Sequence, residues 1–428
     1  MRPPPLAIDL RRKALVGTRG DAPLACDFAG LRRQCATSSA LNNGGIPRMS
    51  TGSTEPQPPP SPKQRESHAP AAPLSTRIAG LDGLRAFSIA FVLVGHLSGT
   101  RNFHLPALAV STLKAVPLAS MGVRVFFVIS GFLITSLLME EERRTGTVSL
   151  TRFYFRRTLR IFPPYYLYIG TILLAQAAAF LVLRPGDVWH ALTYTTNYHR
   201  DRSWYLGHAW SLAVEEQFYI LWPFLYRTLR QGRARKLLVA YILSAPVWRL
   251  AVAYLLPGQQ LGIGETFFTT ADALASGCLL ALARPVLTGN ATYRRIIDSR
   301  AYLLIVPLLF GVGLAERWAR LDWAVCISAQ NVLIALFVER VTRSEGGVIP
   351  RLLNSKPVVL LGLWSYSVYL WQQPFLNRKV QDSIFTAFPL NIVLTVAVAA
   401  TSYYLIERPA LRLRQRLETR LFPRAPRR

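Results

Sequence analysis

Residues 118–139 read LASMGVRVFFVISGFLITSLLM. A mostly apolar run of roughly twenty residues has the length at which a helix crosses the hydrocarbon core of a bilayer. Inside lipid a backbone can hydrogen-bond only to itself, so such a run reads as a helix. The strict alternation of an outer-membrane strand is absent. Similar runs recur from Leu81 onward, separated by short basic segments. The expected spans are 81–99, 118–139, 162–183, 208–226, 237–256, 266–283, 301–315, 322–339, 357–376 and 389–407. An all-α, polytopic membrane protein is therefore expected, a bundle of about ten transmembrane helices. The third run follows Arg160-Ile161-Phe162-Pro163-Pro164. Proline suits a helix start, where its missing amide would have had no partner.

The chain of 428 residues carries 50 Lys and Arg against 23 Asp and Glu, a formal net charge of +27. That balance alone would admit a nucleic-acid partner. The placement of the charges argues against one. Basic residues gather in alternate loops, first Arg143, Arg144, Arg152, Arg156, Arg157 and Arg160, then Arg227, Arg230, Arg233, Arg235 and Lys236. Arg284, Arg294, Arg295 and Arg300 follow, then Arg340, Arg343, Arg351 and Lys356. By the positive-inside rule these loops face the cytosol. An even number of spans returns the chain to its starting side, so both termini are expected there. The tail after Glu407, with eight arginines, agrees.

Residues 1–77 contain no span and are rich in Pro, Ser, Gly and Ala, so they are expected to form a disordered cytosolic tail. The first 30 residues lack the layout of a signal peptide, and Met49 is a second candidate start. Residues 78–409 form the expected membrane domain and 410–428 a basic cytosolic tail. Cys26, Cys35, Cys278 and Cys326 fit no zinc or redox spacing, so neither a metal site nor a disulfide framework is expected.

Ionisable groups within apolar spans are costly and usually functional. Asp82, Arg85 and His96 fall in the first span. Arg85 and His96 lie about 11 residues, or about 16 Å, apart along a helix and return to nearly the same face, which Asp82 shares. A packing role, bonded to a neighbouring helix, also fits the histidine. Glu215 and Glu216 open the fourth span within Trp210-Ser211-Leu212-Ala213-Val214-Glu215-Glu216-Gln217-Phe218-Tyr219. Neighbouring side chains point about 100° apart, so the two carboxylates must face different surroundings. A merely polar helix start explains one glutamate better than two. Arg157 and Arg160 share a face and could grip phosphate, although spacing alone fits the orientation rule better. Asp272 sits where an acid favours a helix start and is assigned no chemistry.

In this order the segments resemble the membrane acyltransferase-3 family over roughly residues 77–409. The resemblance rests on Leu81-Asp82-Gly83-Leu84-Arg85-Ala86 with His96, and on Gly122-Val123 leading to Phe126-Phe127-Val128-Ile129-Ser130-Gly131-Phe132. Arg157 and Arg160 before Ile161-Phe162-Pro163 follow, then Trp210-Ser211-Leu212 with Glu215 and Gln217-Phe218-Tyr219. Tyr366-Ser367-Val368-Tyr369-Leu370 and Glu407-Arg408-Pro409 complete it. The resemblance implies a bacterial inner-membrane enzyme with no permanently bound cofactor. It would take cytosolic acyl-CoA, acetyl-CoA being the expected donor, and acylate a carbohydrate or lipid-linked saccharide. By position His96 matches the family's essential histidine, Arg157 and Arg160 its paired arginines, Glu215 the acid of the Trp-Ser-Leu segment and Arg85 the arginine of the first helix.

Two positions depart from the family pattern. Gln372 stands where many relatives carry histidine, so no acid–base role is expected there. Thr270 replaces an arginine two residues before Asp272, which puts a salt bridge of that acid in doubt. About twenty residues follow Glu407, expected to be too few for the hydrolase-like domain that some relatives append.

The expected mechanism has Arg157 and Arg160 on the CoA phosphates and His96 as general base toward an acceptor hydroxyl. Glu215, or Asp82, would orient the imidazole. Arg85 would stabilise the oxyanion or pair with Asp82. An acyl-histidine intermediate remains open. The rival reading is a proton-coupled transporter or flippase, which should more often show repeated halves.

Overall fold

The structure, a computed structural model, describes residues 78, 80–104, 116–256, 262–315, 322–343 and 346–422. The expected tail 1–77, with Met49, Cys26 and Cys35, lies outside the described residues, as does the end of the basic tail, 423–428. Regular structure among the described residues is helical throughout. We number the longer helices α1 (Leu81–Leu97), α2 (Leu118–Thr145), α3 (Leu150–Ala177), α4 (Ala209–Leu255) and α5 (Asp272–Gly289). Then come α6 (Ile305–Ala315), α7 (Ile327–Arg343), α8 (Lys356–Phe375), α9 (Leu390–Ser402) and α10 (Arg408–Leu421).

Among the described residues 4 helical stretches are long and apolar enough to cross a membrane: Leu118–Thr145, Trp204–Leu255, Ala324–Arg343 and Leu390–Leu421. A fifth arises if Ala291–Asp298 and Arg300–Leu314, bent by 58°, act as one. Leu137, Phe224, Leu243, Val247 and Val393 stand exposed on these stretches, a surface suited to lipid rather than water. The chain is a helical membrane protein. Helices also occupy the expected spans 81–99, 162–183, 266–283 and 357–376, but they fall short in length or apolarity. Their polar groups turn inward: Ser365, Ser367, Gln372 and Gln373 of α8 and Asp272 of α5 are buried.

Two expected boundaries shift. α3 starts well before the proline pair, because Ser149 caps it by accepting a hydrogen bond from the Arg152 amide at 3.3 Å. Pro163 and Pro164 lie inside the helix. The expected loop around Arg227–Lys236 stays helical, since Arg, Gln, Ala, Lys and Leu favour helix. One residue, Arg230 with φ 58°, makes the turn.

α1 lies between α2 and α8. A Cβ at Gly122 would sit 2.5 Å from the Ser88 carbonyl oxygen, and one at Gly362 1.9 Å from that of Asp82. α2 and α5 touch as closely: a Cβ at Gly131 would sit 2.0 Å from the Leu274 carbonyl oxygen, and one at Gly277 2.0 Å from that of Val128. In lipid, helices gain by such close backbone contact, which only small residues permit. α1 and α8 run parallel, with Asp82 beside Gly362 and His96 beside Gln372. This lays the polar stripe of α1 on the polar face of α8.

The doubt over Asp272 is resolved against the sequence reading. Arg249 of α4, fully buried, places Nη1 3.1 Å from Asp272 Oδ2 and donates to the Thr269 carbonyl at 2.9 Å. Ser328 donates to the same carboxylate at 2.9 Å. The counter-ion comes from a helix next in sequence, not from position 270.

Candidate active site

His96 is half-buried near the end of α1. Its Nδ1 lies 2.6 Å from Gln372 Oε1. The glutamine's own orientation follows from a chain of bonds. Gln372 Nε2 donates to Gln373 Oε1 at 3.0 Å, Gln373 Nε2 donates to the Trp204 carbonyl at 2.7 Å, and Trp204 Nε1 donates to the Gln373 carbonyl at 2.7 Å. Oε1 of Gln372 can therefore only accept, so Nδ1 carries the proton and Nε2 is the basic nitrogen. The Trp204 ring stands edge-on at 5.5 Å.

Glu215 lies elsewhere in the bundle. It accepts from the hydroxyls of Ser130 and Tyr219, and Arg157 Nη2 lies 3.9 Å away. The Arg157 guanidinium also stacks on the Tyr219 ring, 3.6 Å from its centre. Ser130, Glu215, Arg85, Phe126, Tyr366 and Tyr369 line a cavity of about 60 Å³. That is room for about two waters. The Nε atoms of Arg85 and Arg157 are buried without a hydrogen-bond partner. Arg160 feels the charges of Arg85, Arg157 and Glu407. Glu407, buried, accepts from Ser367 Oγ at 2.9 Å.

The structure thus gathers Arg85, Arg157, Arg160 and Glu215 at the basic end of the bundle, and sets His96 further along α1. It does not pair His96 with Glu215; Gln372 holds the ring instead. Asp82 lies near Tyr403, at the opposite end of α1 from His96. Glu216 turns toward Tyr165, Tyr166 and Tyr194, so the adjacent glutamates do face different surroundings. Reading the sequence missed the site roles of Gln372, Ser130, Tyr219 and Tyr369, though each stands in or beside a quoted motif. It also missed Arg249, a charge inside an apolar run that the rule for intramembrane ions would have flagged. His208, buried beside Tyr168 and Tyr369, went unnoticed two residues before Trp210.

An open hollow of about 550 Å³ lies at the other end of α3, lined by Gln176, Arg184 and Trp189. Beside it the rings of His190 and His199 stack at 4.6 Å, and His199 Nε2 lies 3.1 Å from Asp187. Burial, and then the neighbouring His190, push His199 below its ordinary value despite Asp187.

Comparison with known proteins follows the same lines. The chain is 29% identical over 367 residues to O-acetyltransferase OatA of Staphylococcus aureus (strain NCTC 8325 / PS 47), covering 78% of this chain and 57% of the relative. It is 28% identical over 367 residues to YrhL of Bacillus subtilis (strain 168), provisionally named a peptidoglycan O-acetyltransferase, covering 78% of this chain and 54% of the relative. The chain thus spans a little over half the length of these relatives. No solved structure matches it. An acyltransferase domain profile matches residues 78–406, nearly all of the helical region, and the chain belongs to the acyltransferase-3 family.

Proposed function

We propose that the chain is an O-acyltransferase. It moves an acyl group, acetyl in the first instance, from cytosolic acyl-CoA to a hydroxyl of a cell-wall or other surface carbohydrate. The observation that carries this is the bond from His96 Nδ1 to Gln372 Oε1, on the same helix stripe as Arg85. That bond makes Nε2 a base of defined direction within an apolar bundle. The acceptor hydroxyl attacks the thioester carbonyl while His96 Nε2 takes its proton. The tetrahedral intermediate then collapses, and the CoA thiolate leaves and recovers that proton from the imidazolium. Arg157 and Arg160 bind the CoA phosphates, and Glu215 with Tyr219 anchors Arg157. Arg85, on the same stripe of α1 as His96, lines the cavity with its Nε buried and without a hydrogen-bond partner, and stabilises the oxyanion. The cavity is too small for a pantetheine arm, so its walls must part for the donor to enter.

About ten spans in a bacterial inner membrane, with both termini cytosolic, belong to this reading. The parallel course of α1 and α8 supports it, since a first and a ninth span must run the same way. The acceptor class rests on the names of the two relatives. The test is purified protein in vesicles with radiolabelled acetyl-CoA and cell-wall glycan. Thioester consumption that disappears in His96→Ala supports the enzyme. Solute uptake without acyl donor would instead establish a transporter. Mass spectrometry of surface glycans from a deletion strain identifies donor and acceptor through the missing acyl mass.

A further inference from the structure

α10 forms the basic, amphipathic end of the last long helical stretch, Leu390–Leu421. One face carries Arg408, Arg412, Arg416 and Arg420, all exposed. The other carries Leu411, Arg414 and Glu418, half-buried, and lies against the start of α3. Glu418 accepts from Arg152 Nη2 at 2.7 Å and also from Arg156, so its charge is shared by two guanidiniums. Arg414, one turn before it, feels Arg156 and Arg157 as like charges, and its Nε is buried with no hydrogen-bond partner. Arg85 and Arg157 likewise hold partnerless Nε atoms. Cations here outnumber the carboxylates Glu215, Glu407 and Glu418 that face them. A half-buried cluster of like charges is tolerated where a multivalent anion completes it.

We propose that Arg414 is the outermost arm of the donor site and binds the 3′-phosphate of coenzyme A. This rests on the acyl-CoA reading above. The cations form an ordered series along α3. Arg156 comes first, sharing Glu418 with Arg152 beside Arg414; Arg157 comes next, by Glu215; Arg160, by Arg85 and Glu407, comes last. Coenzyme A has the same order, from the 3′-phosphomonoester through the pyrophosphate to the neutral pantetheine arm and its thioester. Arg414 shares Glu418 with Arg152 and Arg156, so one carboxylate faces three guanidiniums, and a dianionic monoester suits the fork left under-compensated. The C-terminal helix is then a wall of the donor site, closed onto α3 by Glu418.

The test is binding of acetyl-CoA and of 3′-dephospho-acetyl-CoA to the full chain in nanodiscs of zwitterionic lipid. The wild type is expected to prefer acetyl-CoA by about tenfold, which is about 1.4 kcal/mol. In Arg414→Gln that preference disappears while the affinity for the dephospho form is unchanged; Arg414→Lys keeps part of it. Arg157→Gln weakens both ligands alike. The ratio of two ligands on one sample is independent of how much protein is folded. Equal weakening of both ligands in Arg414→Gln, or an undiminished preference, overturns the assignment. So does an effect of Arg414→Gln seen only with anionic lipid present, which would make the site one for a lipid headgroup. A wild type that binds neither ligand refutes the acyl-CoA reading itself.

Discussion

An amide that accepts from Nδ1 fixes the tautomer and direction of an imidazole without adding a charge. A carboxylate in the same place would also stabilise the protonated ring. His96 therefore depends on geometry from Gln372, itself held by Gln373 and Trp204. Replacing Gln372 by Leu frees the ring to turn, and we expect kcat to fall about 100-fold with the KM for acyl-CoA unchanged. Gln372→Glu retains the acceptor and should keep activity within about tenfold of wild type; steady-state assays of both variants decide whether the bond matters. A second prediction concerns Arg157, which stacks on Tyr219 and approaches Glu215. Lysine keeps the charge but loses the flat fork, so Arg157→Lys should raise the KM for acyl-CoA about tenfold and leave kcat nearly unaltered. At this scale the charged residues were legible, because a charge within an apolar run is conspicuous. Their partners were not. Gln372 lies 276 positions from His96, and nothing in a glutamine's local sequence says which group it will meet.

Helices were legible from apolar runs, whereas their ends and mutual contacts depended on single residues. Ser149 moved the start of α3 ahead of two prolines, and Arg230 turned an expected loop into a bend. The contact of α2 with α5 depends on Gly131 and Gly277, where an added methyl would meet backbone oxygen. Side-chain motion cannot relieve that clash, so Gly277→Val should separate the helices and lower the melting temperature in detergent sharply, by a cost of about 3 kcal/mol or more. Gly170→Ala, a helical glycine with open space around it, should instead stabilise by about 0.5–1 kcal/mol. If both changes lower the melting temperature alike, close packing is not what distinguishes Gly277. The Arg249–Asp272 pair is open to the same kind of experiment. Arg249→Leu alone strands a buried carboxylate at about 3–5 kcal/mol, and adding Asp272→Leu should recover much of the loss.

Orientation in the membrane is a property of the whole chain, set by the sum of its loops rather than by any helix. The arginines proposed to hold the CoA pyrophosphate, Arg157 and Arg160, stand near the start of α3, in a basic segment that the positive-inside rule assigns to the cytosol. On the proposed reading the two requirements coincide: a cytosolic donor would meet a clamp on its own side. On this reading the far side is marked by the segments that follow α1 and α8, which meet where Gln381 donates to the Gly99 carbonyl at 3.1 Å. Cysteine labelling tests the arrangement directly. Cys278 and Cys326 are buried, so only Cys26 and Cys35 need to be changed to serine first. Thr147→Cys, exposed between α2 and α3, should resist a membrane-impermeant maleimide until cells are permeabilised. Asp382→Cys, exposed after α8, should react once the outer layers are opened and the inner membrane is left intact. The opposite pattern would place the arginine clamp away from the pool of acyl-CoA. Coenzyme A, with its charged phosphates, could not then reach the clamp across the hydrocarbon core, and the donor assignment would fail even if His96 proved essential.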